Sequence, residues 1–232
     1  CAGLDATKVY SDLPDGPIVE KGAIAEVIRK GNNPPTTDGT PTWAPNRNLY
    51  TTDTAFGTGL TALSSSVELD ATQRLWARGA DTQNEDSDTV TSAETRASLH
   101  GDVVHSRPLP VTYGDGTGVV YYGSNDGMFR AINAETGKEL WALMPFEFAQ
   151  ANFVDRLRNN APLIKYPNTD MTITPTPIPK SYGWDGSIGI AQDKSNTKVW
   201  IYPTMRRGGQ MVYAINVTDK DAPSIMWKHG CY

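Results

Sequence analysis

Residues 118–144 read GVVYYGSNDGMFRAINAETGKELWALM, and they decide the fold. Val119 to Tyr122 is a β-branched and aromatic run, which suits a strand. Ser124-Asn125-Asp126-Gly127 is turn chemistry, because Asn and Asp tolerate left-handed backbone and Gly accepts it freely. Met128 to Ile132 alternates, with Met128, Arg130 and Ile132 on one face and Phe129 and Ala131 on the other. Asn133 to Gly137 turns again, and Leu140 to Leu143 forms a third run around Trp141. Strand–turn–strand twice over predicts an antiparallel meander that ends on a buried Trp, the unit of a propeller blade.

The stretch resembles the quinoprotein-like propeller repeat. The residues that carry the resemblance are Val120-Tyr121, Gly123, Asp126-Gly127, Ala131, Asn133, Thr136-Gly137 and Trp141. A second copy starts at Lys198. Val199–Tyr202, Met211–Val217 and Ile225–Trp227 read as strands, and Arg206–Gly209 and Thr218–Pro223 as turns. Ala214-Ile215-Asn216 repeats Ala131-Ile132-Asn133, and Trp227 repeats Trp141. An internal repeat supports a radial β architecture independently of any family.

Working outward, the chain of 232 residues is long enough for one large or two small domains. Its 21 Gly and 16 Pro favour turns over long helices. A net charge of −5 gives no electrostatic footprint for nucleic acid. No apolar run approaches the roughly 18 residues of a membrane helix. The expected class is mainly β: a partial quinoprotein-like β-propeller of antiparallel four-stranded blades with short helical insertions. Residues 1–96 read as a mixed lead-in and 97–232 as an incomplete propeller, with blades around 103–144 and 173–229; the two parts are also compatible with one continuous domain.

In the lead-in, Ile18 to Lys30 has a loose helical spacing. Gly31 to Pro45 holds four prolines and reads as a loop. Arg47 to Thr52 reads as a strand, and Thr61 to Ser66 is small and polar. Asp70 caps a helix over Ala71–Arg78 that Gly79 stops. After the first blade, Pro145 to Asn160 reads as a helix with Phe146, Phe153, Val154 and Leu157 on one face. The Pro- and Thr-rich stretch around Thr174–Pro177 suits an edge strand or loop. Tyr182–Gly186 is a turn.

Candidate sites are few. Asn84, Asp86 and Asp88 alternate as calcium-loop ligands do, so calcium is the one possible cofactor. The turn-permitting glycine is missing, and Thr95 stands where a bidentate Glu belongs; a solvated acidic loop is the competing reading. His100, Asp102 and His105 lie close in sequence. In a strand over 102–106, Asp102 and His105 point to opposite faces, which favours a His105 hydrogen-bonded to neighbouring backbone over a metal ligand. Arg206-Arg207 reads as a solvated turn rather than an anion site. Cys1 and Cys231 sit at opposite ends. A disulfide closing the propeller, two unpaired fragment ends, and a lipidated Cys1 all remain open. No G-x-S-x-G nucleophile elbow occurs.

The order of the pieces resembles the C-terminal propeller of the PilY family, type IV pilus tip-associated adhesins and biogenesis factors. The carrying motifs are Trp76-Ala77-Arg78-Gly79, then Arg96 to Pro108 (RASLHGDVVHSRP), then Tyr122 to Met128 (YGSNDGM), then Arg207 to Asp219 (RGGQMVYAINVTD). Gln210 and Asn216 depart from the family's Arg and Asp. The resemblance implies a secreted, non-enzymatic module at the pilus tip or cell surface of a bacterium. It implies roles in surface attachment and pilus biogenesis, with minor pilins and a host or abiotic surface as partners. An unclosed ring implies docking with the rest of a propeller or with copies of itself. The competing readings are a fragment of a quinoprotein dehydrogenase and an outer-membrane assembly scaffold.

Overall fold

The computed structural model describes residues 18–19, 23–29, 47–83, 95–96, 99–159 and 180–231. They form, in order, β1 (Ile18–Val19), α1 (Ala23–Arg29), β2 (Leu49–Thr52), β3 (Leu60–Ala62), α2 (Ala71–Arg78), β4 (His100–Gly101), β5 (Leu109–Thr112), β6 (Gly118–Gly123), β7 (Phe129–Asn133), β8 (Glu139–Leu143), α3 (Ala151–Asn159), β9 (Ile188–Gln192), β10 (Val199–Pro203), β11 (Gln210–Asn216) and β12 (Ser224–Cys231). The chain is mainly β with short helices, as its turn-rich composition requires.

The deciding stretch folds as read. β6, β7 and β8 are an antiparallel meander, and β5 adds a fourth strand beside β6. Gly127, at φ 82°, and Gly137, at φ 70°, make the two turns in backbone that side chains rarely adopt. Alternation then sorts the side chains. Tyr121, Phe129 and Trp141 gather on the front of this first leaf; Tyr122, Arg130 and Ile132 lie behind.

The second leaf is β9–β12, a fully antiparallel four-stranded sheet. The repeat holds down to its irregularities. Ala131 pairs with Trp141, and the register slips between Ala131 and Ile132. Ala214 pairs with Trp227, and the register slips between Ala214 and Ile215. The two register shifts fall at matching places in the repeat, where a bulge raises the local twist of each leaf.

The leaves stack front to back around Trp184. Its ring meets Phe129 at 5.4 Å, Phe148 at 6.0 Å and Tyr213 at 5.0 Å. Val119, Tyr121 and Trp141 of the first leaf share one buried cluster with Val199, Ile201 and Ile215 of the second. Polar contacts pin the seam: Trp141 Nε1 donates to the Lys220 carbonyl at 2.8 Å, and Tyr113 Oη to the Val217 carbonyl at 2.6 Å. Lost water rather than these few bonds supplies most of the cohesion.

Several expectations need correction. The first leaf is not a purely antiparallel four-stranded blade, because β2 joins β8 in parallel and carries β3 outside it. The small, polar stretch 61–66 supplies the end of this edge: Thr61 and Ala62 end β3, and a 3₁₀ turn follows over Leu63–Ser65. The helix read over 18–30 is a short strand, β1 paired with β4, followed by α1. The helix read over 145–160 begins only at Ala151, because residues 145–149 close turns on the Pro145 carbonyl. Residues 102–108 are not a strand. Trp227 is not a buried counterpart of Trp141: it is 44% exposed, against 1%. The edge strand or loop expected near Thr174–Pro177 lies outside the described residues. The helix capped by Asp70 and stopped by Gly79 forms as read, with Asp70 and Gln73 in a reciprocal capping box.

Candidate functional site

Four segments far apart in sequence meet at one end of the seam: the strap 102–108, the turn 124–127, the segment 183–186 and the turn 205–209. Asn125 is the tie. Its N–H donates to the Asp102 carbonyl at 3.0 Å, its Nδ2 to Asp102 Oδ2 at 3.1 Å, and its Oδ1 accepts from Gly183 N–H at 3.1 Å. Ser106 Oγ accepts the Gly123 N–H at 2.8 Å, and Lys180 pairs with Asp102. Glycine is needed for the close approaches. A Cβ on Gly183 would sit 2.6 Å from the Ser124 carbonyl oxygen, and one on Gly208 would overlap the Gly183 carbonyl.

The surface of this junction is an open cleft of about 520 Å³, lined by Val104 to Pro108, Ser187 and Arg206. Asp185, fully buried, is held by two of the lining residues, His105 and Arg206. His105 Nδ1 donates to both Asp185 oxygens, at 2.8 and 2.9 Å. The Arg206 guanidinium approaches the same carboxylate at 3.8 Å. Arg206 has φ 49°, a left-handed conformation that costs a non-glycine residue on the order of 1 kcal/mol. The next turn residue, Arg207, is bound to Tyr182 Oη at 3.0 Å and lies over that ring. The turn therefore holds its two arginines in place rather than leaving both free in solvent. Arg107 and Arg206 are both exposed, so the cleft presents fixed positive charge on a protein of net charge −5. Exposed guanidinium groups of this kind can donate hydrogen bonds to a polar or anionic group.

Behind the first leaf lies a buried ionic chain. Glu139 receives Arg47 in a two-pronged pair, at 2.7 and 2.9 Å, and sits 3.2 Å from Arg130 Nε. Arg130 in turn pairs with Asp126, which also accepts Gly101 N–H at 3.1 Å and Ser124 Oγ–H at 2.6 Å. Two cations balance two anions, which is how charge survives burial. Burial works to raise the Asp126 and Glu139 pKa values, but the arginines beside them win and hold both below the usual carboxylate range. His100 is pushed down to about 4, first by burial and then by Arg130. Neutral, it donates Nδ1–H to the Gly101 carbonyl at 2.6 Å and accepts from Tyr122 Oη–H at 2.6 Å. Arg96, also buried, stacks on Trp76 at 3.7 Å and donates to its carbonyl. The motif residues Trp76, Arg96, His100 and Asp126 are thus joints of the fold.

The structure separates the histidines: His100 is buried behind the first leaf, whereas His105 is held by Asp185 and not by neighbouring backbone. That corrects the strand-based reading, whose alternation never applied. Among the described residues, no group of three or more His, Cys, Asp or Glu side chains converges as metal ligands do. Asn84, Asp86 and Asp88 lie outside the described residues. Cys231 is exposed at the end of β12, and Cys1 also lies outside them. Asp185 and Trp184 had no signal beyond the glycines that flank them, Gly183 and Gly186.

Over 198 residues, 73% of the chain, it is 30% identical to a type IV pilus biogenesis factor PilY1 homolog of Xylella fastidiosa (strain Temecula1). The chain spans only about 14% of that protein's length. No family model and no solved structure matches. This similarity relates the chain to PilY-type proteins. Among the described residues, no helix is long and apolar enough to cross a membrane.

Proposed function

We propose that the chain is a non-catalytic module of a secreted, pilus-associated protein that serves surface attachment and pilus assembly at the pilus tip. The similarity over 198 residues to a type IV pilus biogenesis factor carries the reading. The geometry supports it, because the buried polar motif residues are committed to holding leaves and loops together. The exposed cationic cleft is the surface offered to a partner, a minor pilin or an attachment surface. Calcium at Asn84, Asp86 and Asp88 belongs to the same proposal, and titration calorimetry with calcium against an Asp86→Asn, Asp88→Asn variant tests it.

The direct experiment replaces Arg107 and Arg206 with Ala in the cells that make the protein. Surface attachment or pilus number is expected to fall severalfold while the protein is still made and folded. Unchanged attachment and piliation would remove the cleft from the proposal. An absorbance spectrum of the purified protein is expected to show no bound quinone, and a quinone band would replace the reading with a dehydrogenase.

A further inference from the structure

We propose that the pocket where β2, the 3₁₀ turn over Leu63–Ser65 and α2 meet binds an oxyanion, a phosphate, sulfate or carboxylate group of a small ligand. The inference stands apart from the pilus reading, and the pocket shares no lining residue with the cationic cleft. It has a volume of about 170 Å³, and its polar lining is Arg47, Asn48, Ser64, Arg74 and Arg78, with Tyr50 beside them. No Asp, Glu or His lines it.

Of the three arginines in the lining, only Arg47 has an anion, Glu139 behind the leaf. Arg74 and Arg78 sit one turn apart on α2, where like charges repel. Both are partly buried, and among the described residues neither forms an ion pair. Arg130, Arg158 and Arg206, by contrast, each have a carboxylate partner. Partly buried charge without a counter-ion is what a bound anion completes. Nor is Arg74 loose. Its Nη1 donates to the Ser66 carbonyl at 2.8 Å and to the Leu69 carbonyl, which fixes the guanidinium. The helix end does not oppose an anion either. The carbonyls of Ala77 and Arg78, at the negative end of the α2 dipole, accept Arg47 Nη1 at 3.3 and 3.2 Å. Arg47 therefore already answers that dipole, and stabilising the helix end does not account for Arg74 and Arg78 as a pair. Ser64, exposed beside them, adds a hydroxyl with no partner among the described residues. The guanidinium fork matches carboxylate, phosphate and sulfate alike.

Titration calorimetry of the full chain with sodium phosphate, sulfate and acetate, at an ionic strength held constant with chloride, tests this. At least one of the three is expected to bind saturably, and its identity tells which kind of group the pocket takes. Arg78→Gln is expected to weaken that binding about tenfold or more. The double variant Arg107→Ala, Arg206→Ala is expected to leave it unchanged. Ser64→Asp brings a carboxylate to the pocket from within the chain; it is expected to raise the melting temperature without added anion and to abolish the heat of binding. No saturable binding of any of the three anions would overturn the proposal. So would binding that survives Ser64→Asp or a folded Arg78→Gln, and binding that the Arg107, Arg206 variant removes, which would move the anion to the cleft.

Discussion

Asp126 and Arg130 show what a motif residue does when it does no chemistry. Asp126→Ala takes the paired carboxylate from a fully buried guanidinium, and is expected to cost about 3–5 kcal/mol in urea unfolding. His100 adds a pH dependence. The unfolded chain takes up its proton near pH 6.5, the folded protein only near 4. Between those values the unfolded state binds the extra proton, so stability falls as pH drops from 6.5 to 4, by up to roughly 3 kcal/mol. Asp126 and Glu139 are lowered, so their contribution is present above the unfolded carboxylate pKa and is lost as pH falls below about 4. Thermal melts of His100→Gln from pH 3 to 7 are expected to be flatter than wild type between 6.5 and 4, with the loss below 4 retained. None of these partnerships is local in sequence. The Asp126–Arg130 spacing could have been noticed, but Arg47 with Glu139 and His105 with Asp185 are joined only by the completed fold.

At the scale of elements, what could be read in the sequence was whatever repeats or caps locally. The meander, both Ala-Ile-Asn strands and the Asp70 helix rest on period-2 alternation, turn residues and a side chain three positions from its backbone partner. Asp70→Ala is accordingly expected to cost about 1 kcal/mol. The parallel β2–β8 pairing had no such signal, because four residues, Leu49 to Thr52, carry no mark of the strand they will join. The strap 102–108 carries a β-branched pair, Val103-Val104, that suits a strand, whereas Asn125 and Gly123 capture its backbone and Ser106 side chain in a loop. Gly208→Ala is expected to lower the melting temperature by several degrees, since a Cβ there meets the Gly183 carbonyl and the tie between the leaves must part.

For the whole molecule, the two leaves predict unequal responses from matching residues. Trp141→Ala opens a void in the seam and is expected to cost about 3–5 kcal/mol, whereas Trp227→Ala in this chain alone is expected to cost about 1 kcal/mol or less. Chemical denaturation of the two variants side by side checks the ratio, which reverses if Trp227 is the better packed. The parallel β2–β8 junction carries a different consequence. Arg47 and Glu139, which bracket it, are 92 residues apart. A ribosome adding about 5–20 residues per second needs roughly 5–20 s to cover that distance. Throughout synthesis of the interval, Leu49 to Thr52 waits as an emerged strand whose mate has not been translated, so the nascent chain is most open to mispairing, and most in need of a chaperone, before Trp141 leaves the exit tunnel.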